Sequence, residues 1–216
     1  MPSCARRAHR IKSRASADES RGECGCKMGL SGRTLITAVY GDPIEHSLSP
    51  AMHNAAYEGL GIDRAYVAFH VKPESLRDAV RAIAAMGLLG VNLTLPHKER
   101  AFRMVDGLSA EAKTLGAVNS IINRRGKLLG DNTDARGLEA DLRELGIAVR
   151  GRPVVIIGAG GAASAAVLAC IRLGANRILI ANRTRPRATR LAKRFAKAEL
   201  QPLRREGSLH MQLLLG

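Results

Sequence analysis

A strand, a glycine turn and a helix follow one another near residue 158, and this order constrains the fold more than any other feature. The apolar stretch Val154–Ile157 leads directly into Gly158-Ala-Gly-Gly-Ala-Ala163, which opens a helix of small residues predicted over Ala162–Leu173. The glycines of such a turn let the backbone approach a pyrophosphate, and the helix N-terminus presents free N–H groups to it. The sequence therefore predicts a Rossmann-like βα unit that binds a dinucleotide.

The next strand, predicted over Arg177–Ala181, ends in a basic segment that contains no acid. Enzymes that use NAD usually carry Asp or Glu here for the ribose 2′-hydroxyl, whereas arginine accommodates a 2′-phosphate. This chain has Asn182, Arg183 and Thr184, with Arg187 further on. The segment therefore predicts NADP as the cofactor. The alternative is that these arginines only coat a solvated helix start.

The positive charge is concentrated at the two ends of the chain. The net charge is +15, and residues 172–206 carry eleven Lys and Arg against two Asp and Glu, while residues 1–29 carry seven against three. Aromatic residues make up only 3% of the sequence, so the stacking platform of a single-strand binder is absent. We therefore expect no specific nucleic-acid partner, and no apolar run is long enough to predict a membrane span.

The four cysteines predict neither a disulfide framework nor a metal site. Cys4, Cys24 and Cys26 lie near the N-terminus without a completing His or Cys, and Cys170 lies in the predicted small-residue helix. This usage is typical of a reducing compartment, so we expect a cytoplasmic protein. An organellar location is the alternative if residues 1–27, rich in Arg and Ser, are a transit peptide.

Strands and helices alternate along the rest of the chain, which predicts an α/β fold. The predicted strands before the glycine turn are Leu35–Tyr40, Ala65–Val71 and Leu88–Leu93, followed by a hairpin of Ala117–Asn123 and Lys127–Asp131. The predicted helices run from Ser49-Pro50 to about Gly59, over Pro73–Met86, and from about Thr133 to Leu145.

Three polar clusters lie at the ends of these elements, where open α/β sheets form their sites. The clusters are Ser47-Leu-Ser49-Pro50, Asn92-Leu-Thr94-Leu-Pro96-His97-Lys98, and Asn119 with Gly130-Asp-Asn-Thr-Asp134. Each has a simpler interpretation by itself, with Ser49 and Asp134 as helix caps and Lys98 as a solvated lysine. Their joint occurrence before an NADP-type turn favours a functional site.

In this order the motifs resemble the shikimate dehydrogenase family, over about Leu35 to Ala198. The family reduces 3-dehydroshikimate to shikimate with NADPH, on the route to chorismate and the aromatic amino acids. The resemblance implies that Ser47 and Ser49 bind the substrate carboxylate, that Asn92, Thr94, Asn119 and Asp134 hold its hydroxyls, and that Lys98 and Asp134 form the catalytic pair. For the cofactor it implies contacts from Gly158, Ala159, Gly160, Gly161 and Ala162 to the pyrophosphate and from Asn182, Arg183, Thr184 and Arg187 to the 2′-phosphate.

The chemistry of ketone reduction calls for a residue such as Lys98 on general grounds. Hydride delivered to a ring ketone creates an alkoxide, which needs a proton donor and positive charge within hydrogen-bond reach. A protonated lysine supplies both, and Asp134 would orient it. A lining of hydroxyl and amide groups also suits a small polyhydroxy acid.

The chain departs from the family pattern towards its end. It stops after two strands and two helices of the cofactor unit, without the later glycine loop near the nicotinamide and the late glutamine at the substrate. Ala135 also replaces a glycine usual after the Asp-Asn-Thr-Asp turn. We therefore expect one edge and one face of the second sheet to be exposed, and little or no activity unless a missing segment is supplied.

These observations predict an N-terminal α/β substrate domain followed by a partial Rossmann-like domain. The expected boundaries are a disordered basic tail over 1–33, the substrate-binding catalytic domain over 34–132, the partial NADP-binding domain over 133–200, and a tail over 201–216 that no longer resembles the family. We expect a monomer or homodimer that binds small molecules. Two alternatives remain, a quinate/shikimate dehydrogenase that uses NAD and a noncatalytic shikimate-binding fragment.

Overall fold

The structure is a computed structural model that describes residues 30–195 and 198–200. Two β-sheets organise it, one of six strands and one of three. The α/β fold class predicted from the sequence is confirmed. The predictions of a disordered tail up to residue 29 and of a different segment beyond residue 200 lie outside the described residues.

The strands of the first sheet are β1 Leu35–Gly41, β2 Arg64–His70, β3 Gly90–Leu93, β4 Gly107–Leu108, β5 Ser120–Arg124 and β6 Lys127–Asp131. They lie in the order β2-β1-β3-β5-β6-β4. The helices between and after them are α1 Ser49–Gly59, α2 Leu76–Ala85, α3 Lys98–Ala101, α4 Ala110–Leu115 and α5 Asp134–Glu144.

Strand β1 runs parallel to β2 and β3, whereas β5 runs antiparallel to its two neighbours β3 and β6. The hairpin of β5 and β6 was predicted, but its first strand begins at Ser120 and not at Ala117. Helix α2 packs its apolar stripe of Leu76, Val80 and Ile83 on the sheet, and all three side chains are buried. The spacing of these residues by three and four positions is that of an amphipathic helix.

The second sheet contains strands β7 Pro153–Ile157, β8 Arg177–Ala181 and β9 Ala198–Leu200, all parallel. Helices α6 Gly161–Arg172 and α7 Arg185–Arg194 connect them. The expectation that this unit ends after two strands was wrong, because β9 pairs with β8 beyond α7. A strand this short carries too little pattern in the sequence and is defined by its partner.

The sequence predicted an exposed edge in the second sheet, and β7 is such an edge among the described residues. Within the described residues, β7 has only β8 as a neighbour. Val155 and Ile157 point away from the helices, and they are 60% and 83% exposed. On the opposite face Ile156 is buried against α6, where Ala163, Val167 and other small residues pack closely.

Gly90 lies where strands β3 and β5 approach each other closely. A Cβ atom built on it would lie 2.6 Å from the backbone carbonyl oxygen of Ile121, which cannot move without disturbing the pairing of β3 with β5. Gly90→Ala is therefore expected to lower the free energy of unfolding by about 1–3 kcal/mol, the usual cost of overpacking. Urea denaturation followed by circular dichroism measures the change.

The matched control is Gly137→Ala in helix α5. A Cβ there meets nothing within 4 Å, and alanine favours a helix interior over glycine by roughly 0.5–1 kcal/mol. The control is expected to be as stable as the wild type or more stable. An unchanged or higher stability of the Gly90 variant would contradict the proposed clash.

Candidate active site

Four loops meet at one edge of the first sheet because of the strand directions. The carboxyl ends of the parallel strands β1 and β3 share an edge, and antiparallel pairing brings the start of β5 and the end of β6 to the same edge. The register places Asn92 opposite Ser120, and Ser120 opposite Asp131. The three polar clusters that the sequence singled out therefore lie in loops along one edge.

Lys98 and Asp134 form an ion pair at this edge, although they are 36 residues apart in the sequence. Lys98 is the first residue of α3, Asp134 is the first residue of α5, and the distance from Lys98 Nζ to Asp134 Oδ2 is 2.7 Å. Their side chains are 23% and 26% exposed, so both are partly accessible to solvent. The pair supplies a cationic proton donor held by a carboxylate.

Asn119 orients the other carboxylate oxygen of this pair. Its Nδ2 donates to Asp134 Oδ1 at 2.7 Å and to Thr133 Oγ1 at 2.9 Å. Its Oδ1 accepts from the backbone N–H of Thr133 and from the hydroxyl of Ser120, both at 3.0 Å. Both amide hydrogens are therefore used within the protein, and a substrate hydroxyl would compete for them.

The turn before α5 is held by Asn132, which is 2% exposed. Its Oδ1 accepts the backbone N–H of Asp134 at 3.0 Å, and its Nδ2 donates to the carbonyl of Ala117 at 3.0 Å. The N-cap residue is Thr133, so the simpler interpretation of Asp134 as the cap was wrong. Asp134 is free to present its carboxylate to Lys98 because Asn132 stabilises the turn.

Thr94 follows β3 and lies against Gly41 at the end of β1. A Cβ on Gly41 would lie 2.5 Å from the methyl carbon of Thr94, so a larger residue there would displace the Thr94 side chain. The backbone N–H of Thr94 donates to the carbonyl of Tyr40 at 3.0 Å. Thr94 is thus fixed at the edge between the loops that follow β1 and β3.

Ser47 and Ser49 lie in the loop after β1, at the start of α1. The expectation that Ser49 caps this helix was wrong, because Leu48 occupies the N-cap position and offers no side-chain hydrogen bond. Instead, Ser47 Oγ accepts the backbone N–H of Ser49 at 3.3 Å. Within the described residues, neither hydroxyl is bonded to Lys98 or Asp134, so the serines form a separate part of the edge.

His97 immediately precedes Lys98 and is fully buried. Its Nε2 lies 2.7 Å from the carbonyl oxygen of Val71, so this nitrogen carries the hydrogen and donates it. Burial lowers the pKa of His97, which favours the neutral ring. The contact ties the Lys98 loop to the end of β2, a role that sequence reasoning missed because a buried and an exposed histidine look alike in a sequence.

A cavity of about 460 Å³ adjoins the glycine turn. Gly158 has a φ of +122°, a conformation that favours glycine, whereas a Cβ on Gly160 or Gly161 would meet nothing within 4 Å. The turn therefore leaves open space at the start of α6. The cavity lining is Ala159, Gly160, Gly161, Ser164, Arg187, Arg190, Leu191 and Arg194, with Glu99 and Leu115 from the first part of the chain.

The residues predicted to hold a dinucleotide fall into two groups. Ala159, Gly160, Gly161 and Arg187 line the cavity, and Gly158 shapes its turn. The others, Ala162, Asn182, Arg183 and Thr184, do not line it. An open glycine cradle faced by arginines on α7 fits a group with several phosphates.

Arg190 and Arg194 of this lining were not predicted individually. They lie on the same face of α7 as Arg187, at spacings of three and four residues. Arg194 donates to the backbone carbonyl of Leu115 at the end of α4 and lies 3.5 Å from Ser164 Oγ. The helical spacing of the arginines could have indicated this basic face in the sequence.

Ion pairs hold the second sheet against the first part of the chain. Arg172 of α6 donates to Glu111 of α4 at 3.2 Å and to Glu139 of α5 at 3.0 Å. The glutamate side chains are only 10% and 11% exposed. These contacts, with that of Arg194, set the position of the glycine turn relative to the Lys98 loop.

Neither a metal cluster nor a membrane-spanning helix occurs in the described ranges. Among residues 30–195 and 198–200, no group of three or more His, Cys, Asp or Glu side chains is placed to hold a metal ion. No helix in these ranges is long and apolar enough to cross a membrane.

Two family models match the chain. The model described as shikimate dehydrogenase substrate binding domain matches residues 39–121, and the model described as shikimate/quinate 5-dehydrogenase matches residues 142–209. The second match extends past residue 200, so the expectation that the resemblance ends there was wrong.

Curated relatives and solved structures agree with these models. The shikimate dehydrogenase (NADP(+)) of Symbiobacterium thermophilum is 47% identical over 175 residues, which are 81% of this chain and 59% of that protein. The enzyme of the same name from Carboxydothermus hydrogenoformans is 44% identical over 78% of this chain and 60% of its own length. Shikimate 5-dehydrogenase of Thermus thermophilus, in complex with NADP(H) and shikimate, is 40% identical with a TM-score of 0.71, covering 79% of this chain and 63% of that one. The chain thus spans less than two thirds of the length of these relatives.

Proposed function

The chain belongs to the shikimate dehydrogenase family, and from this membership we propose that it binds shikimate and 3-dehydroshikimate and interconverts them with NADP. The observation that carries the proposal is the Lys98–Asp134 ion pair, with 2.7 Å from Nζ to Oδ2. This pair lies at the same edge of the first sheet as the other polar motifs. Substrate domain and cofactor unit would correspond to residues 34–132 and 133–200.

Lys98 acts as the proton donor in the direction of reduction. When bound, NADPH supplies the hydride that the ketone carbon accepts. The ketone oxygen takes the proton of the Lys98 ammonium, which neutralises the charge developing on that oxygen. The neutral amine then regains a proton from solvent, so the site returns to its starting state.

Asp134 orients the lysine and binds the neighbouring substrate hydroxyl. Its Oδ2 accepts a hydrogen bond from Lys98 Nζ, and its Oδ1 accepts one from Asn119 Nδ2. The carboxylate therefore cannot rotate freely. Each carboxylate oxygen has a further lone pair, and one of them can accept a hydrogen bond from the substrate. Asn92 and Thr94 are proposed to hold the remaining hydroxyls, with Asn119 acting at least through Asp134.

Ser47 and Ser49 are proposed to bind the substrate carboxylate. Both hydroxyls are half-buried, and the Ser49 hydroxyl has no hydrogen-bond partner among the described residues. Hydroxyl donors at a helix start suit an anion. This arrangement would place the carboxylate at the α1 end of the edge and the reacting carbon near Lys98.

The dinucleotide is proposed to lie along the glycine turn. Gly158, Ala159, Gly160, Gly161 and Ala162 would accommodate the pyrophosphate. Asn182, Arg183, Thr184 and Arg187 would meet the ribose 2′-phosphate, whose charge favours arginine. Two observations support this assignment. A Cβ on Gly160 or Gly161 would meet nothing within 4 Å, and the basic face of α7, formed by Arg187, Arg190 and Arg194, lines the same cavity.

Binding and turnover of shikimate test the proposal directly. We expect calorimetry to detect shikimate binding. When the chain is mixed with shikimate and NADP, we expect reduced cofactor, measured by absorbance, to form only slowly, in line with the low activity expected from the sequence. Binding without any turnover would favour a noncatalytic shikimate-binding fragment. A preference for quinate and NAD would favour the quinate/shikimate dehydrogenase named among the family descriptions. Absence of shikimate binding would contradict the proposal.

The carboxylate contacts can be tested by removing both serine hydroxyls. The double variant Ser47→Ala/Ser49→Ala is expected to bind shikimate about 10- to 100-fold more weakly, because hydrogen bonds to a charged group are lost. NADP affinity should not change. The control is Ser75→Ala, since Ser75 is exposed and makes no side-chain cap; an equal loss in the control would argue against a specific role.

We further propose a cytoplasmic protein that acts as a monomer or homodimer. The cysteine usage supports a reducing compartment. The basic face of α7 is assigned to cofactor phosphates, so no nucleic-acid partner is proposed. Size-exclusion chromatography with light scattering distinguishes the two oligomeric states.

A further inference from the structure

A continuous chain of hydrogen bonds runs from strand β2 to the Lys98–Asp134 pair. It begins at the hydroxyl of Tyr66, which is 3% exposed and lies well away from the pair in the sheet. The successive links are Tyr66 Oη to Asn92 Oδ1 at 2.8 Å, Asn92 Nδ2 to Ser120 Oγ at 3.0 Å, Ser120 Oγ to Asn119 Oδ1 at 3.0 Å, and Asn119 Nδ2 to Asp134 Oδ1 at 2.7 Å.

The direction of the chain is fixed at its Asp134 end. The backbone N–H of Thr133 can only donate, and it points at Asn119 Oδ1, which identifies that atom as the amide oxygen. The amide nitrogen of Asn119 must then face Asp134. Because Asn119 Oδ1 can only accept, the single hydroxyl hydrogen of Ser120 is donated to it.

The same reasoning extends back to Tyr66. Ser120 has given its only hydrogen to Asn119, so it must accept from Asn92, and the atom of Asn92 that faces it is the amide nitrogen. Asn92 Oδ1 therefore faces Tyr66, whose hydroxyl must donate. Each donor points towards Asp134, and no amide in the chain can flip without breaking two bonds.

Tyr66 is itself held rigidly by helix α1. Its backbone N–H donates to Asn54 Oδ1 at 2.8 Å and its carbonyl accepts from Asn54 Nδ2 at 2.9 Å. Its ring stacks on His53, with ring centroids 4.2 Å apart and planes within 7°. Burial, and then the nearby Tyr57, raises the pKa of Tyr66 to about 12. The hydroxyl therefore keeps the hydrogen that it donates.

We propose that Tyr66 is a positioning residue for substrate recognition, acting through Asn92 and Ser120 on the orientation of the amides at the active-site edge. With Asn92 Oδ1 turned to Tyr66 and one Nδ2 hydrogen on Ser120, Asn92 keeps one oxygen lone pair and one weakly used hydrogen, since Nδ2 lies 3.5 Å from the carbonyl oxygen of Asn119. These are the groups available to a substrate hydroxyl. The effect of Tyr66 on substrate recognition rests on the proposed function, whereas its effect on the amide orientation does not.

The test compares Tyr66→Phe with a matched control, Tyr57→Phe. Tyr57 also carries a half-buried hydroxyl, but it bonds to Thr37 Oγ1 at 3.0 Å outside this chain of contacts. Tyr66→Phe is expected to weaken shikimate binding about 10-fold in calorimetry, with NADP affinity unchanged. Tyr57→Phe removes a bond of the same kind that does not lead to the active-site edge, so it is expected to leave shikimate affinity within about 2-fold of the wild type.

Side-chain amide resonances give a readout that needs no substrate. In ¹H–¹⁵N spectra of the free protein, Tyr66→Phe should shift the Nδ2 resonances of Asn92 and, two links further on, of Asn119. Tyr57→Phe should not. If the wild-type chain fails to bind shikimate, the proposed function fails, and these resonances still decide whether Tyr66 orients the amides.

Ser120→Ala provides a second variant should Tyr66→Phe fold poorly. It breaks the same chain at its middle link and is expected to weaken shikimate binding to a similar extent. The double variant Tyr66→Phe/Ser120→Ala should lose less binding free energy for shikimate than the sum of the two single losses, because both substitutions break the same chain of hydrogen bonds. Unshifted Asn119 resonances in Tyr66→Phe, or in Ser120→Ala if the tyrosine variant does not fold, would overturn the proposal, as would fully additive losses.

Discussion

Lys98→Ala is expected to lower the rate of shikimate oxidation by NADP by about 10²–10⁴-fold, the usual contribution of a general acid or base. The variant loses the group that exchanges a proton with the substrate oxygen and leaves Asp134 without its cation. Shikimate binding should change far less than turnover, because the other contacts remain. Reduced cofactor is measured with enzyme and substrate at similar concentrations, so that slow turnover is detected.

Lys113→Ala is the control for this experiment. Lys113 is an exposed residue of α4 that belongs to none of the polar clusters at the edge, and its removal changes the net charge equally. We expect its rate to be that of the wild type. Near-wild-type turnover by Lys98→Ala would remove this lysine from the mechanism, whereas a parallel fall in both variants would indicate a general charge effect.

Removing Arg183 and Arg187 together is expected to weaken NADP binding by about 10- to 100-fold. Each guanidinium can make a charge-assisted hydrogen bond to the 2′-phosphate, and solvent exposure reduces its contribution. NAD has no 2′-phosphate, so the affinity for NAD should change little. Calorimetric titration of Arg183→Ala/Arg187→Ala with each dinucleotide gives the ratio of the two affinities.

Arg185→Ala is the matched control, because Arg185 is an exposed residue between the two arginines and begins α7. It is expected to change the ratio of NADP to NAD affinity by less than about 3-fold, as for a screened surface charge. An equal loss of NADP and NAD affinity in the double variant would mean that these arginines support the fold or the pyrophosphate and do not read the 2′-phosphate.

Local patterns in the sequence were sufficient to predict the longer helices and strands, including the strand and helix on either side of the glycine turn. The apolar run before Gly158 and the small residues after it predicted β7 and α6 to within one residue of their observed ends. The stripe of Leu76, Val80 and Ile83 predicted α2, although its helix begins three residues later than expected. Runs of this length contain at least two helical turns or a full strand, which is enough for a period to be recognised.

Short elements could not be recognised in the same way. Helix α3 has four residues, strand β4 has two and α4 has six, so none contains two full repeats of its pattern. They exist because neighbours complete their hydrogen bonds, as when Gly107 and Leu108 pair with β6. The start of α3 matters for the proposed function, since it fixes where the Lys98 side chain emerges.

The sequence by itself determined which chemical groups this protein possesses: an ammonium, carboxylates, amides and hydroxyls at the ends of strands, and glycines before a basic segment. Only the tertiary structure decided that Lys98 and Asp134 meet, because residues so distant in the chain come together through strand order and direction. The orientation from Tyr66 to Asp134 likewise arises only in the folded sheet. Hydrogen bonds are directional, so the role of each amide depends on which partner lies beside it in space, and a linear sequence does not specify those neighbours.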